Sequence, residues 1–241
     1  MIRTILAALL VIFFFIVTIP VLMIFWVIGK INMKFHDFLA YGLMRIAFII
    51  ILFVCGAKVK VEGLENVPKD TPVLYVGNHR SYFDIIVLYR YAKIPTGFIA
   101  KKEFKSVPVL GHWISCLHGI FLDRKDIKAG LKTILEAIDN VKNNNISYTI
   151  FPEGTRNHEK EMLPFKEGSL KIATKSGCPI VPVAMTHMDD LLENHMPFIK
   201  GANVSIRFGE PIYTDKLAKE DQKFLGAKVR DIIQNMMDDM E

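Results

Sequence analysis

The feature that most constrains this chain is an uncharged apolar run near its N-terminus. No Asp, Glu, Lys or Arg occurs between Thr4 and Gly29. A helix of that length would extend about 39 Å, enough to cross the hydrocarbon core of a bilayer. The run is too long for the apolar core of a signal peptide, and no small-residue cleavage site follows it. We therefore expect a membrane-associated helix that Pro20 kinks.

A second apolar run, from Phe38 to Ala57, is interrupted by Arg45. Only the part from Ile46 to Ala57 is uninterrupted, and it is too short to span comfortably. Two arrangements follow. The two segments form a hairpin that enters from one side, with Arg45 reaching the interface, or the first spans and the second lies in or on one leaflet. In both, residues 1–57 form a helical module that holds the rest against the membrane.

The distribution of charge separates this module from the rest of the chain. Residues 1–60 carry six cations and one anion, whereas residues 61–241 carry 24 of each. Cations beside an apolar segment are favoured by the anionic cytoplasmic surface of a membrane. A nucleic-acid-binding protein would carry its excess on the folded body. We therefore expect a protein of the cell membrane with its body on the cytoplasmic face, and no nucleic-acid partner.

From residue 58 onward, short β-rich runs alternate with helical patterns. This alternation predicts an α/β fold, a single domain over residues 58–241 with a central sheet flanked by helices. The predicted strands are Lys58–Glu62, Val73–Gly77, Gly97–Ala100, Gly119–Leu122, Ser147–Phe151, Ile180–Ala184 and Val204–Phe208. Helices are predicted over Lys125–Asn143, over Phe165–Ser176 with Gly177 as its cap, and over Asp215–Met240.

The three cysteines, Cys55, Cys116 and Cys178, are scattered and form no C-x-x-C pair. Such a set is not a disulfide framework and favours a reducing compartment. Cys116 lies between two histidines in H-W-I-S-C-L-H, residues 112–118. No second ligand cluster completes a four-coordinate site, so we interpret this stretch as an ordinary helix or loop.

The first candidate site follows the strand that ends at Gly77, in N-H-R-S-Y-F-D, residues 78–84. A turn at a strand end can bring His79 and Asp84 together. The carboxylate then holds one imidazole nitrogen and leaves the other to accept a proton. A substrate that brings its own hydroxyl needs no protein nucleophile. This spacing alone is weak evidence, and a capping or core histidine is the alternative reading of His79.

Further candidates follow three other strands. In F-P-E-G-T-R, residues 151–156, Gly154 permits close backbone approach, and Arg156 offers a guanidinium fork for a phosphate. Thr155 adds a hydroxyl, and Glu153 can accept from a hydroxyl or orient an arginine. Arg124 closes G-I-F-L-D-R, residues 119–124. Lys101 or Lys102, in A-K-K-E-F, adds positive charge.

The order of these blocks, completed by V-P-V-A at 181–184, resembles the glycerolipid acyltransferase family. It is most similar to the bacterial 1-acylglycerol-3-phosphate acyltransferases, over about Val73 to Thr186. The resemblance implies transfer of a fatty acyl group from acyl-CoA or acyl-carrier protein to the sn-2 hydroxyl of lysophosphatidate. It implies no metal or other cofactor. The expected partners are these two substrates and membrane lipids.

The resemblance also assigns roles to residues. His79 would be the general base on the acceptor hydroxyl, Asp84 its orienting partner, and Asn78 a supporting residue. Arg156, Arg124 and Lys101 would bind the acceptor phosphate. The pocket around that phosphate would be shaped by Glu153, Gly154 and Thr155.

Three other functions remain open at this stage. An acyltransferase of the same family with another acceptor, such as glycerol-3-phosphate or another lysolipid, shares these motifs. A non-catalytic lipid-binding membrane protein is disfavoured by the full set of polar motif residues. A hydrolase that uses Ser81 beside His79 lacks G-x-S-x-G and would release fatty acid without an acceptor.

Overall fold

A seven-stranded sheet forms the centre of the protein in a computed structural model that describes residues 1–159, 161–218 and 221–240. The strands are β1 (Lys58–Glu62), β2 (Leu74–Gly77), β3 (Thr96–Lys101), β4 (Ile120–Leu122), β5 (Ser147–Ile150), β6 (Ile180–Thr186) and β7 (Asn203–Phe208). All seven were predicted from the sequence, and the α/β fold with a single flanked sheet is confirmed.

The strand order β1-β7-β6-β2-β5-β3-β4 places β2 in the middle of the sheet. Neighbours are parallel except β6 and β7, which are antiparallel. The carboxyl ends of β2 to β6 therefore meet at one edge, here called the carboxyl edge. The amino ends of β1 and β7 lie at the same edge. In open parallel sheets this edge is where ligands bind.

Helices cover both faces of the sheet. They are α1 (Ile2–Ile31), α2 (Met33–Cys55), α3 (Phe83–Tyr91), α4 (Leu110–Cys116), α5 (Ile127–Asn144), α6 (Glu167–Ser176) and α7 (Leu225–Asp238). One apolar core contains residues of α2, α3 and α4, and the other contains residues of α5, α6 and α7. The predicted helices over 125–143 and 165–176 are confirmed as α5 and α6, and Gly177 caps α6 with φ 81°.

The predicted long helix from Asp215 to Met240 is wrong. Short 3₁₀ turns occupy Thr214–Lys216 and Asp221–Phe224, and only Leu225–Asp238 is α-helical, while residues 219 and 220 lie outside the described residues. The side-chain amide of Gln222 donates to the carbonyl oxygens of Thr214 and Leu217. In a continuous helix those oxygens would accept the backbone N–H groups of residues four positions later. Here the side-chain amide of Gln222 takes the place of those backbone donors.

The first two helices form a hairpin that reverses at Asn32, whose side chain accepts from the backbone N–H of Phe35 at 3.1 Å. Helix α1 continues through Pro20, and α2 begins at Met33, five residues before the predicted start of the second apolar segment. Both helices are long and apolar enough to cross a membrane, with mean hydropathies of 3.1 and 2.4.

This hairpin lies along the body instead of projecting from it. The hydroxyl of Thr4 accepts from the backbone N–H of Ile199 at 2.9 Å, and the indole N–H of Trp113 donates to Thr18 at 3.0 Å. The two threonines are about 21 Å apart along α1. A helix attached at both points runs beside the body, and its outer side is a broad exposed apolar surface.

Several polar contacts fix α2 on the body. The Arg45 guanidinium donates to the carbonyl oxygen of Ala92. The side chain of Arg45 therefore contacts the body of the protein at the end of α3. Near the start of α2, Asp37 accepts from His36 at 2.9 Å and from His118 at 2.8 Å. The stretch 112–118 thus contains the end of α4 and His118, which contacts α2.

Candidate active site

The turn after β2 is held in place by Asn78, which is buried. Its amide donates to the carbonyl oxygen of Met185 and accepts from the backbone N–H of the same residue, both at 2.8 Å. Met185 belongs to β6, the neighbour of β2. These two hydrogen bonds continue the pairing of β2 with β6 beyond the end of β2, through a side chain. They fix the start of the turn.

His79 and Asp84 meet as the sequence predicts. Nδ1 of His79 lies 2.8 Å from Oδ2 of Asp84. The imidazole stacks on the ring of Phe151, with centroids 4.4 Å apart and planes 12° from parallel. Among the described residues Nε2 has no hydrogen-bonding partner. Because Nδ1 donates to the carboxylate, Nε2 is the nitrogen that can accept a proton.

Asp84 is fully buried in the first turn of α3. Its Oδ2 also accepts the backbone N–H groups of Arg80 at 2.7 Å and Ser81 at 2.8 Å. Burial raises the pKa of this carboxyl, and the hydrogen bond from His79 opposes the rise. The carboxylate is therefore fixed by three donors before any substrate binds, in a dry environment that strengthens its interaction with a protonated imidazole.

Glu153 supports this turn from the next strand, β5. One of its carboxylate oxygens accepts the backbone N–H of His79 at 2.8 Å and the other that of Leu163 at 3.1 Å. The residue is buried, with 5% of its surface exposed. Its carboxylate thus joins the two turns that carry the motifs. The carbonyl oxygen of His79 reinforces the joint by accepting the backbone N–H of Asn157 at 2.8 Å.

Ser81 does not face His79. Its hydroxyl donates to Glu193 at 2.7 Å and accepts the backbone N–H of Phe83 at 3.0 Å. The hydroxyl therefore both donates and accepts a hydrogen bond within the protein, and the residue is fully buried. A Ser–His–Asp triad is therefore not formed.

Glu193 is a functional candidate that the sequence analysis missed. Its carboxylate accepts from Ser81, from the backbone N–H of Tyr82 at 2.9 Å and from Arg156 at 3.1 Å. Its side chain is 3% exposed. No local motif marks it, because its partners are 37 or more residues away in the chain. Only its placement in the connection after β6 brings it to the site.

Arg156 is held over the aromatic ring of Tyr82. The guanidinium carbon lies 3.7 Å from the ring centroid, and one nitrogen donates to the Tyr82 hydroxyl at 3.0 Å. With the ion pair to Glu193, this stacking presets the plane of the guanidinium. The side chain remains 30% exposed, so a ligand can reach it.

Gly154 adopts φ 77°, a left-handed conformation that favours glycine. A Cβ there would lie 2.7 Å from Nζ of Lys166, so the lysine amine occupies the space beside the glycine. Thr155 is exposed next to it. Lys166 was not predicted from the sequence, although a cation that follows the motif by ten residues is the signal that would have suggested it.

Lys101 and Arg124 lie at the carboxyl ends of β3 and β4, further along the same edge. Strand spacing puts them about 10 and 14 Å from β2. Lys101 is 51% exposed and pairs loosely with Glu103 at 3.3 Å. Lys102, the alternative, binds Asp123 at 2.5 Å. The strand order thus puts Lys101, Arg124 and Arg156 on one side of His79, with Lys101 and Arg124 exposed and Arg156 partly exposed.

The arrangement combines a fixed proton acceptor with neighbouring positive charge at the edge of the sheet. Such a site can deprotonate a hydroxyl of a ligand whose anionic group is held by the cations. Among the described residues no group of His, Cys, Asp or Glu is arranged to hold a metal ion.

Comparison with known proteins agrees with this chemistry. The family described as Acyltransferase matches residues 58–186. A 1-acyl-sn-glycerol-3-phosphate acyltransferase of Borreliella burgdorferi is 32% identical over 81% of this chain and 78% of its own length. The enzyme of that name from Saccharomyces cerevisiae is 35% identical over 78% of this chain. The matched region spans 62% of the yeast protein's length.

A solved structure resembles the whole protein, including the two N-terminal helices. The crystal structure of the 1-acyl-sn-glycerophosphate (LPA) acyltransferase from Thermotoga maritima superposes with a TM-score of 0.80, over 99% of this chain and 97% of that one, at 25% identity. The matched family covers the strands and turns that carry His79, Asp84 and the F-P-E-G-T-R segment. This chain is therefore a member of the acyltransferase family.

Proposed function

We propose that the protein transfers a fatty acyl group from acyl-CoA or acyl-carrier protein to the sn-2 hydroxyl of 1-acylglycerol-3-phosphate, giving phosphatidate. The observation that carries the proposal is the His79–Asp84 pair, with Nδ1 held at 2.8 Å and Nε2 left to take a proton. The names of the relatives from yeast and Borreliella support the same acceptor.

The reaction proceeds without a covalent enzyme intermediate. Nε2 of His79 removes the proton of the acceptor hydroxyl while its oxygen attacks the thioester carbonyl carbon. The tetrahedral intermediate collapses, the carbon–sulfur bond breaks, and the thiolate takes the proton back from the imidazolium. Asp84 stabilises the imidazolium through Nδ1. General-base assistance of this kind contributes about 10²–10⁴ in rate.

The acceptor phosphate binds to the cations on the β5, β3 and β4 side of His79. Arg156 supplies a preset guanidinium, and Arg124 and Lys101 supply more distant charge. Gly154 and Thr155 shape the turn beside Arg156. Glu153 acts indirectly, because its carboxylate is occupied by two backbone N–H groups. Its contribution is to hold the His79 turn on the Arg156 turn.

The N-terminal hairpin embeds the protein in the cytoplasmic leaflet of the cell membrane. Its outer side exposes large apolar side chains, among them Phe13 at 64%, Phe38 at 70% and Phe53 at 83%. Because α1 contacts the body at Thr4 and Thr18, embedding along the length of the hairpin preserves these contacts, whereas a perpendicular span would break one of them. The site then lies near lipid acceptors.

Vesicle binding tests the membrane contact. Exchanging both Phe13 and Phe53 for Asp would lower the fraction of protein that floats with lipid vesicles, because it puts charge into the apolar contact. Phe224→Asp changes an equally exposed phenylalanine of the body and serves as the control. Equal flotation of all variants would contradict embedding through the hairpin.

The activity is tested by thiol release from acyl-CoA or acyl-carrier protein in lipid–detergent micelles, with and without lysophosphatidate. We expect release that requires the acceptor and falls about 10²–10⁴-fold in His79→Ala. His112→Ala, which changes an exposed histidine of α4, is the matched control. Release without an acceptor would indicate a thioesterase, and release that needs a different acceptor would reassign the substrate.

A further inference from the structure

A second polar groove opens at the carboxyl edge on the other side of His79. It has a volume of about 460 Å³ and is lined by His187, Asp190, His195, Lys200 and Asn203 and by the backbone near Gly201. His187 directly follows β6, and Asn203 begins β7. The groove therefore lies over β6 and β7, whereas Lys101, Arg124 and Arg156 follow β3, β4 and β5.

The connection after β6 separates this groove from the candidate active site. Glu193, on that connection, binds Ser81 and Arg156 on the active-site side. His187, Asp190 and His195, from the same connection, line the groove instead. One short segment thus has the His79 turn on one side and the groove on the other.

Cations lie both in the lining of the groove and beside it. Lys200 is exposed in its lining, and Asp190, an acid of the same lining, lies 3.3 Å from Nδ1 of His187. Arg3, outside the lining, is also exposed; its guanidinium lies beside Gly201 and donates to the carbonyl oxygen of Cys55 at 3.3 Å. Lys58 pairs in register with Asn203 and contributes a further exposed cation at this end of β1.

We propose that this groove binds the phosphate groups of the acyl thioester donor. This inference rests on the proposed acyl transfer, in which both substrates are anionic. The acceptor phosphate binds to the cations on one side of His79. The donor must therefore bring its thioester carbon to Nε2 from the other side. Donor phosphates lie at the far end of a long pantetheine arm. The groove lies about 5–10 Å from β2 by strand spacing, within reach of that arm.

The test compares donors with and without phosphate in the full-length protein. Lys200→Glu places an acid in the groove without touching the residues around His79. Lys175→Glu, at the end of α6 and the opposite edge of the sheet, is the matched control. KM is measured for acyl-CoA, for acyl-carrier protein and for an S-acyl pantetheine that carries no phosphate, each with lysophosphatidate saturating.

We expect Lys200→Glu to raise the KM for the phosphate-bearing donor about tenfold, as loss and reversal of one charged contact predicts. The KM for S-acyl pantetheine, the KM for lysophosphatidate and kcat should stay unchanged, and Lys175→Glu should behave as wild type. Competition by adenosine 3′,5′-bisphosphate that weakens in Lys200→Glu would identify the nucleotide of CoA as the occupant.

Two results would overturn the inference while leaving acyl transfer intact. One is an unchanged KM for every donor in Lys200→Glu. The other is an equal rise for S-acyl pantetheine, which would mean a general disturbance of the site. A wild-type protein that transfers from neither acyl-CoA nor acyl-carrier protein would instead contradict the proposed function itself.

Discussion

The turns after β2 and after β5 are neighbours at the same edge, yet they are built differently. The first is closed around Asp84, which is fully buried and collects His79 and two backbone N–H groups within seven residues. The second presents Arg156, which is partly exposed and held by Tyr82 and Glu193 from distant parts of the chain. A proton acceptor needs a fixed, dry partner, whereas an anion site needs a cation that a ligand can reach.

The largest effect should come from the closed turn. Asp84→Asn keeps an oxygen to accept the backbone N–H groups but removes the charge that stabilises the imidazolium. We expect kcat to fall about 10³-fold with little change in the KM for lysophosphatidate. A rise in KM with an unchanged kcat would contradict the role of Asp84 as the partner of the proton acceptor His79.

The same variant tests the electrostatics of burial. Because burial raises the pKa of Asp84, its ionised form opposes folding, and this cost is present when the pH is above the raised folded-state value. Asp84→Asn should therefore melt higher than wild type at neutral pH. The advantage should shrink as the pH falls through that value towards the ordinary 3.8. A variant that melts lower at neutral pH would contradict this account.

Changes in the turn after β5 should affect substrate binding more than the rate of the chemical step. Arg156→Ala removes the preset guanidinium, and we expect the KM for lysophosphatidate to rise about 10–100-fold, with a smaller change in kcat. Arg156→Lys should recover only part of the loss, since an ammonium lacks the planar fork that stacks on Tyr82. Steady-state kinetics at saturating donor separate the two parameters.

A smaller effect is expected from Glu193→Gln. The amide oxygen still accepts a hydrogen bond, but the ion pair that orients Arg156 is lost, so the KM for lysophosphatidate should rise about threefold. In an Arg156→Ala background the same change should have no further effect on KM. Additive effects of the two changes would mean that Glu193 does not act through Arg156.

The smallest effect should belong to Lys101→Ala. The side chain is half exposed and its pairing with Glu103 is loose, so the KM for lysophosphatidate should rise no more than about threefold. Lys102→Ala provides the comparison, because its amine is engaged by Asp123. A larger effect of Lys102 than of Lys101 would reverse the choice between them.

The strands were predictable because each is a short β-rich run between turns, and β2, β5 and β6 are buried throughout. The His79–Asp84 pair was predictable because both partners belong to one turn. The C-terminal helix was predicted too long, because a local pattern of mixed charge does not reveal that Gln222 would bond the carbonyls of Thr214 and Leu217. The contact of Arg45 could not be predicted for a similar reason, since its partner Ala92 is 47 residues away.

By itself the sequence determined the α/β architecture, the apolar N-terminal module and the residue types at the site, because these depend on local periodicity and on motifs within a few residues. Only the tertiary structure decided that the hairpin lies along the body, that Glu153 and Glu193 support the two turns, and that a polar groove lies across β2 from Arg156. Each of these depends on groups that are distant in the chain, and the packing of the sheet and helices alone brings them together.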